Sequence, residues 1–210
     1  MKEPVKIVPD VLSVPELLHF SSIEKLGFLE NRLIFNTLYL TGGRVSEVLA
    51  LRARDLKLDG DALMVFMTTL KNRQRHFRTI PVPLKTIFSE EKRALDELLS
   101  YSSKCEAAYG PDYKLFGFIH TRQTINWRFR QLKFTCRGYL KKDIFDAHQF
   151  YVYPHYLRHC RLTHLVRNYG FDAMHLTEFA GWSDPKVAMV YVQLTGADLA
   201  EKFRNRGKEW

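Results

Sequence analysis

The stretch LKLDGDALMVFM, residues 56–67, constrains the fold more than any other part of the chain. Asp59-Gly60 is a hairpin signal, because the tight turns that join two strands favour residues tolerant of positive φ. The segments on either side read as strands, and FRTIPV at 77–82 reads as a third, closed by prolines that cannot donate to a ladder. Elsewhere the apolar residues recur at helical spacing. Ser13 caps a first helix, and Glu16 completes a capping box three residues later. Leu33, Phe35, Leu38 and Leu40 mark a helix over 29–40, and Val48, Leu49 and Leu51 a short one over 45–51. Further helices are expected over 89–104, 124–134, 154–169 with Gly170 as its stop, 172–179 and 185–192. The expected fold is mainly α with a small three-stranded antiparallel β-sheet. Residues 1–12 read as a linker or arm ahead of one domain over 13–210.

The longest apolar run, ALMVFM at 62–67, is far short of the ~20 residues that span a bilayer. No signal pattern opens the chain, so a soluble, cytoplasmic protein is expected. Cys105, Cys136 and Cys160 are odd in number, widely spaced and without a CxxC pair. They suit neither a disulfide framework nor a zinc site, and reduced thiols are expected. A net charge of +9 directs attention to polyanions. The charge is clustered in three acid-free runs. Residues 121–142 carry Arg122, Arg128, Arg130, Lys133, Arg137, Lys141 and Lys142, interleaved with Trp127, Phe129, Phe134 and Tyr139. Residues 71–78 carry Lys71, Arg73, Arg75 and Arg78, and residues 155–170 carry three arginines and three histidines. A nucleic-acid surface accounts for these runs better than three separate solvated faces.

Three features fit a structural role poorly. Arg44 follows two glycines at a helix start, where the dipole favours an anion, so a bound phosphate would explain the cation. Glu47, three residues on, is either a surface partner or the group that holds Arg44. His155 and Arg158 open the helix behind Pro154, and their spacing lets both converge on one ligand. His159 interrupts the buried face of that helix. Gly181-Trp182 sits in a turn, with Tyr191 nine residues later in an apolar run. Two arginines, a histidine and a tyrosine, with no metal-binding constellation, suit attack of a phenol on a phosphodiester. Guanidinium groups stabilise the charge that grows on the non-bridging oxygens. A phenol with a pKa near ~10 needs that help.

These motifs resemble the tyrosine recombinases of the phage-integrase family. Thr41-Gly42-Gly43-Arg44-Val45-Ser46-Glu47 matches the family's first-arginine helix, and His155-Tyr156-Leu157-Arg158 its H-x-x-R box. Gly181-Trp182 matches its G-H or G-W pair, and Tyr191 its nucleophile. Lys71 is the best match to the family's lysine on a turn of a small sheet, with Arg73 a competitor for that place. The resemblance implies a 3′-phosphotyrosyl intermediate at Tyr191, with Lys71 protonating the 5′ oxygen and Arg44 and Arg158 clamping the phosphate. It implies that His155 accepts or relays the tyrosine proton and that Trp182 positions the phosphate. No ATP, metal or other cofactor is required, and the partners are double-stranded DNA and further copies of the chain, a tetramer on DNA. Arg73, Arg75, Arg122, Arg128, Arg130 and Lys133 are the expected DNA contacts. Tryptophan at 182 cannot shuttle a proton as histidine does. With about forty residues before Arg44, the separate N-terminal DNA-binding domain of many relatives is expected to be absent. The chemistry alone leaves open a type IB topoisomerase or a silent DNA-binding module.

Overall fold

The computed structural model describes residues 12–22, 29–71, 74–117, 121–136 and 153–192. In chain order the elements are α1 (Val14–Ser22), α2 (Leu29–Thr41), α3 (Val45–Leu49), a 3-10 turn (Ala53–Asp55), β1 (Leu56–Asp59), β2 (Ala62–Lys71), β3 (Gln74–Pro83), α4 (Ser89–Tyr109), α5 (Arg122–Cys136), α6 (Pro154–Tyr169), α7 (Ala173–Ala180) and α8 (Lys186–Val192). The three strands form one antiparallel sheet in the order β1-β2-β3.

The hairpin runs further than the apolar pattern implies. Pairing continues from Ala62↔Pro83 to Lys71↔Gln74, which makes Lys71 the last paired residue of β2. Beyond the alternating buried Leu63, Val65 and Met67 come Thr68 and Thr69, and β-branched residues favour strands. Helix α4 also outlasts its apolar face, because no breaker follows it until Gly110 at φ 87°. The Ser13–Glu16 capping box forms as expected, with Ser13 N–H donating to Glu16 Oε2 at 3.0 Å and Glu16 N–H to Ser13 Oγ at 3.4 Å.

Helix α2 runs through the middle of the molecule, packed against α1, α4 and α6. Leu33, Ile34, Phe35, Leu38, Tyr39 and Leu40 are all buried, so the helix is apolar around most of its circumference, as a central helix must be. The inner face of the sheet adds Leu63, Val65, Met67, Ile80 and Val82.

Residues 155–170 depart from the expected basic surface. Arg158, Arg161 and His164 turn inward and are buried. The run lacks acids in sequence but meets one in space: Arg161 Nη1 donates to Glu91 Oε1 at 2.6 Å, and Tyr169 also donates to Glu91. His164 Nε2 reaches the Leu12 carbonyl at 2.8 Å, and its Nδ1 the Tyr39 hydroxyl at 2.9 Å. A buried guanidinium without a carboxylate would cost several kcal/mol, roughly the price of any desolvated ion, and Glu91 offsets it. This network ties α1, α2, α4 and α6 together and sets the position of α6 beneath the candidate site.

Candidate active site

The site lies where the loop after α2, strand β3, helix α6 and the α7–α8 turn meet. Gly42 adopts φ 54°, and a Cβ there would come within 3.1 Å of Phe179, so the close approach of chain to α7 depends on glycine. Arg44 follows as the N-cap of α3. Its backbone N–H donates to Glu47 Oε2 at 2.7 Å and its Nη1 to Glu47 Oε1 at 2.9 Å. Glu47 is 1% exposed, which makes it a buried anchor and not a surface partner.

The same carboxylate receives a second guanidinium. Arg78 on β3 donates Nη2 to Glu47 Oε2 at 2.6 Å and Nη1 to the Phe179 carbonyl at the end of α7. Burial lowers the pKa of Arg78, and Glu47 opposes that shift. The sequence places Arg78 in a run of cations, where nothing marks it as buried. Its alternation with the inward-facing Ile80 and Val82 is the signal that finds it.

Arg158, 3% exposed, donates Nη1 to the Gly42 carbonyl at 2.6 Å and Nη2 to the Ala180 carbonyl at 2.8 Å. Burial, then the nearby Arg78 and Arg44, pulls its pKa down to about 10, so it remains charged at neutral pH. The Trp182 ring lies 5.5 Å from the Arg158 guanidinium and stacks on Tyr191 with centroids 5.8 Å apart. Tyr191 itself is half-buried, and desolvation lifts its pKa to about 12 against the opposing pull of Arg158.

His155, at the start of α6, keeps much of its surface in solvent, and partial desolvation of its ring, then Arg158 and Arg44, lowers its pKa. The residue in contact with Tyr191 is His159, one helical turn on. Its Nδ1 lies 2.5 Å from the Tyr191 oxygen, the two rings stack at 5.7 Å, and His155 meets His159 edge to face at 4.5 Å. Burial, then His155 and Arg158, pushes the pKa of His159 down to about 4. In the sequence His159 stands only as a break in the buried face of its helix, with no marker of a role.

Lys71 ends β2, and Arg75 lies on β3; the side chains of both, and Arg73 altogether, fall outside the described residues. Of the expected DNA contacts on α5, Arg122 is exposed, while Arg128 is partly buried and donates to Asn31 on α2 at 2.5 Å. Arg130 and Lys133 belong to the same helix, with side chains outside the described residues. Exposed Trp127 stands on the outer side of α5. Among the described residues, no group of three His, Cys, Asp or Glu side chains is placed to hold a metal ion. Cys105 and Cys160 are free and buried, and no described helix is long and apolar enough to cross a membrane.

The profile of the phage integrase family matches residues 11–197. Tyrosine recombinase XerD of Oceanobacillus iheyensis is 29% identical over 204 residues, covering 94% of this chain and 62% of the relative. The chain therefore spans less than two thirds of that relative's length. Among solved structures, the XerA recombinase superposes with a TM-score of 0.64 at 22% identity, over 97% of this chain and 66% of that one. The XerH site-specific recombinase bound to a palindromic difH substrate gives 0.65 at 19% identity, over 94% and 53%. At these identities the structures speak for the fold.

Proposed function

The chain belongs to the phage integrase family, and from that premise we propose that it cuts and rejoins double-stranded DNA as a site-specific recombinase, with Tyr191 as nucleophile. The observation that carries this reading is the placement of the Tyr191 hydroxyl. It lies against a histidine and beside a buried arginine, on a ring stacked with a tryptophan, and a second arginine held by Glu47 acts on that buried arginine. In the proposed reaction the Tyr191 oxygen bonds to phosphorus and the bond from phosphorus to the 5′ oxygen breaks. The product is a 3′-phosphotyrosyl link and a free 5′ hydroxyl, and rejoining reverses the step on another strand.

Arg44 and Arg158 then take the non-bridging oxygens, and one carboxylate among three guanidinium groups leaves the positive excess that a phosphate requires. Trp182 orients Arg158 and Tyr191 against each other. Lys71 gives the 5′ oxygen its proton, a role that arginine fills poorly because it holds its proton too firmly. Arg122, Arg128, Arg130, Lys133, Arg73 and Arg75 track the duplex backbone, and the active assembly is a tetramer of this chain on DNA. The chemistry calls for no metal, ATP or other cofactor, since the phosphotyrosyl link keeps the energy of the broken bond. The XerH neighbour bound to its difH substrate supports DNA as the partner.

The test is covalent capture. The chain is mixed, in the presence of chelator, with a nicked duplex that it has itself selected from a randomised library. A DNA-linked band on a denaturing gel that disappears in Tyr191→Phe, while binding persists, is the expected result. An undiminished band in that variant removes Tyr191 from the chemistry.

A further inference from the structure

The resemblance gives the tyrosine's proton to His155, yet the group that touches the phenol is its neighbour one turn along α6. Resting on the reading of Tyr191 as nucleophile, we propose that His159 Nδ1 takes the phenolic proton as the Tyr191 oxygen bonds to phosphorus. The hydroxyl and Nδ1 are 2.5 Å apart, a direct contact with no room for a water between them. The stacked rings fix both partners: His159 is clasped between Tyr191 on one side and His155 on the other, and Trp182 closes the far face of Tyr191.

Acceptance at Nδ1 requires a neutral ring with its hydrogen on Nε2. The surroundings enforce neutrality. The charged and titratable groups that face the pair are His155 and Arg158 on α6, Tyr153 at its N-cap and Tyr191 on α8, with Arg44 acting on His155 from the loop before α3. Burial first, then His155 and Arg158, disfavour a cation on His159, so it is an acceptor across the physiological range. That preference reverses in the transition state, where the phosphate brings negative charge against the same groups and steadies an imidazolium.

The proton balance is complete. The phenolic O–H bond breaks and its proton moves to Nδ1, the O–P bond forms, and the electron pair of the P–O5′ bond leaves with the 5′ oxygen, which takes its proton from Lys71. In rejoining, Nδ1 returns the proton to the departing phenolate. His155, exposed at the mouth of the site, is then left to the phosphate.

The experiment measures single-turnover formation of the covalent complex from about pH 3.5 to 9, so that the acid end reaches the pKa of His159 at about 4, using the full chain and the selected nicked duplex. His159→Asn places an amide near the Nδ1 position, so it keeps a hydrogen bond but cannot take a proton. It should slow cleavage by about 10²–10⁴-fold at pH 7. The wild-type loss of rate at low pH should vanish in this variant and give way to a climb of about tenfold per pH unit, as hydroxide replaces the base. His155→Asn, altered at an exposed position, should keep the wild-type shape of that low-pH limb whatever its rate. His159→Asn cleaving within about threefold of wild type with an unchanged profile overturns the proposal. So does a low-pH limb that disappears in His155→Asn. If His159→Asn does not fold, the His155→Asn profile decides alone. A covalent band that survives Tyr191→Phe overturns the nucleophile and this inference together. A band that needs Tyr191 but is indifferent to His159 overturns this inference only.

Discussion

Replacing Glu47 with glutamine tests how the site holds its arginines. Three donors reach the carboxylate among the described contacts: the Arg44 N–H and Arg78 Nη2 at Oε2, and Arg44 Nη1 at Oε1. A glutamine must point its own NH2 at one side, so at least one donor faces another donor whichever way the amide turns. Arg78, with a side chain 9% exposed, also loses its counter-charge. Removing one partner of a buried ion pair costs about 3–5 kcal/mol. For a chain of 210 residues, at roughly 2–4 °C for each kcal/mol, thermal unfolding should fall by roughly 6–20 °C. Circular dichroism melts of Glu47→Gln, Arg78→Met and the double variant separate the terms. The double variant should lose less than the two singles added together, because replacing both members of a buried pair with neutral groups is often close to neutral. Glu47→Gln melting within about 2 °C of wild type, or strict additivity in the double variant, would refute the shared anchor.

Two further predictions concern stability. Gly181→Ala should cost more than Gly170→Ala: both positions have positive φ, at 64° and 69°, and carry the left-handed penalty of about 1–2 kcal/mol. At Gly181 the new Cβ would also lie 2.8 Å from Arg78 Cδ, while at Gly170 it meets open space, so equal losses in thermal melts would mean that Arg78 simply moves aside. The second concerns His164, whose pKa burial pushes down to about 4, against about 6.5 in the unfolded chain. As pH falls through that window the unfolded chain takes up a proton that the folded chain refuses, so stability is lost on acidification, by up to about 3 kcal/mol from this group. Denaturant titrations should show a shallower loss between pH 6.5 and 4.5 in His164→Gln than in wild type, and parallel curves would assign the acid sensitivity elsewhere.

The residues legible in the sequence are those that sit beside a local marker. Two glycines announce Arg44, Pro154 announces His155 and Arg158, and Gly181 announces Trp182. Each marker reports a backbone event within a few residues, which a linear pattern records. The antiparallel sheet was legible for the same reason, from Asp59-Gly60. Partnerships across the chain left no such trace. The acid-free stretch 155–170 resembles a surface until Glu91, 70 positions from Arg161, is folded against it. Arg78 and Glu47 are 31 positions apart, and only the register of β3 turns that arginine inward. The nearness of His159 to Tyr191 depends on how α8 crosses α6, which neither helix encodes alone.

The way the site binds Arg158 explains how it can be both rigid and receptive. A carboxylate would fix the guanidinium more strongly but would cancel the charge that a phosphate must meet. Among the described residues, the groups that hold it are instead the carbonyls of Gly42 and Ala180, the second at the C-terminal end of α7, where unsatisfied carbonyls gather partial negative charge. Phe179, one residue earlier, does the same for Arg78. Neutral acceptors set the direction of the fork and leave the whole positive charge for an anion. The cost is desolvation, which brings the pKa of Arg158 to about 10 and still leaves it protonated at neutral pH. The Trp182 ring lies against the guanidinium, so the buried arginine is aimed and charged before any phosphate arrives.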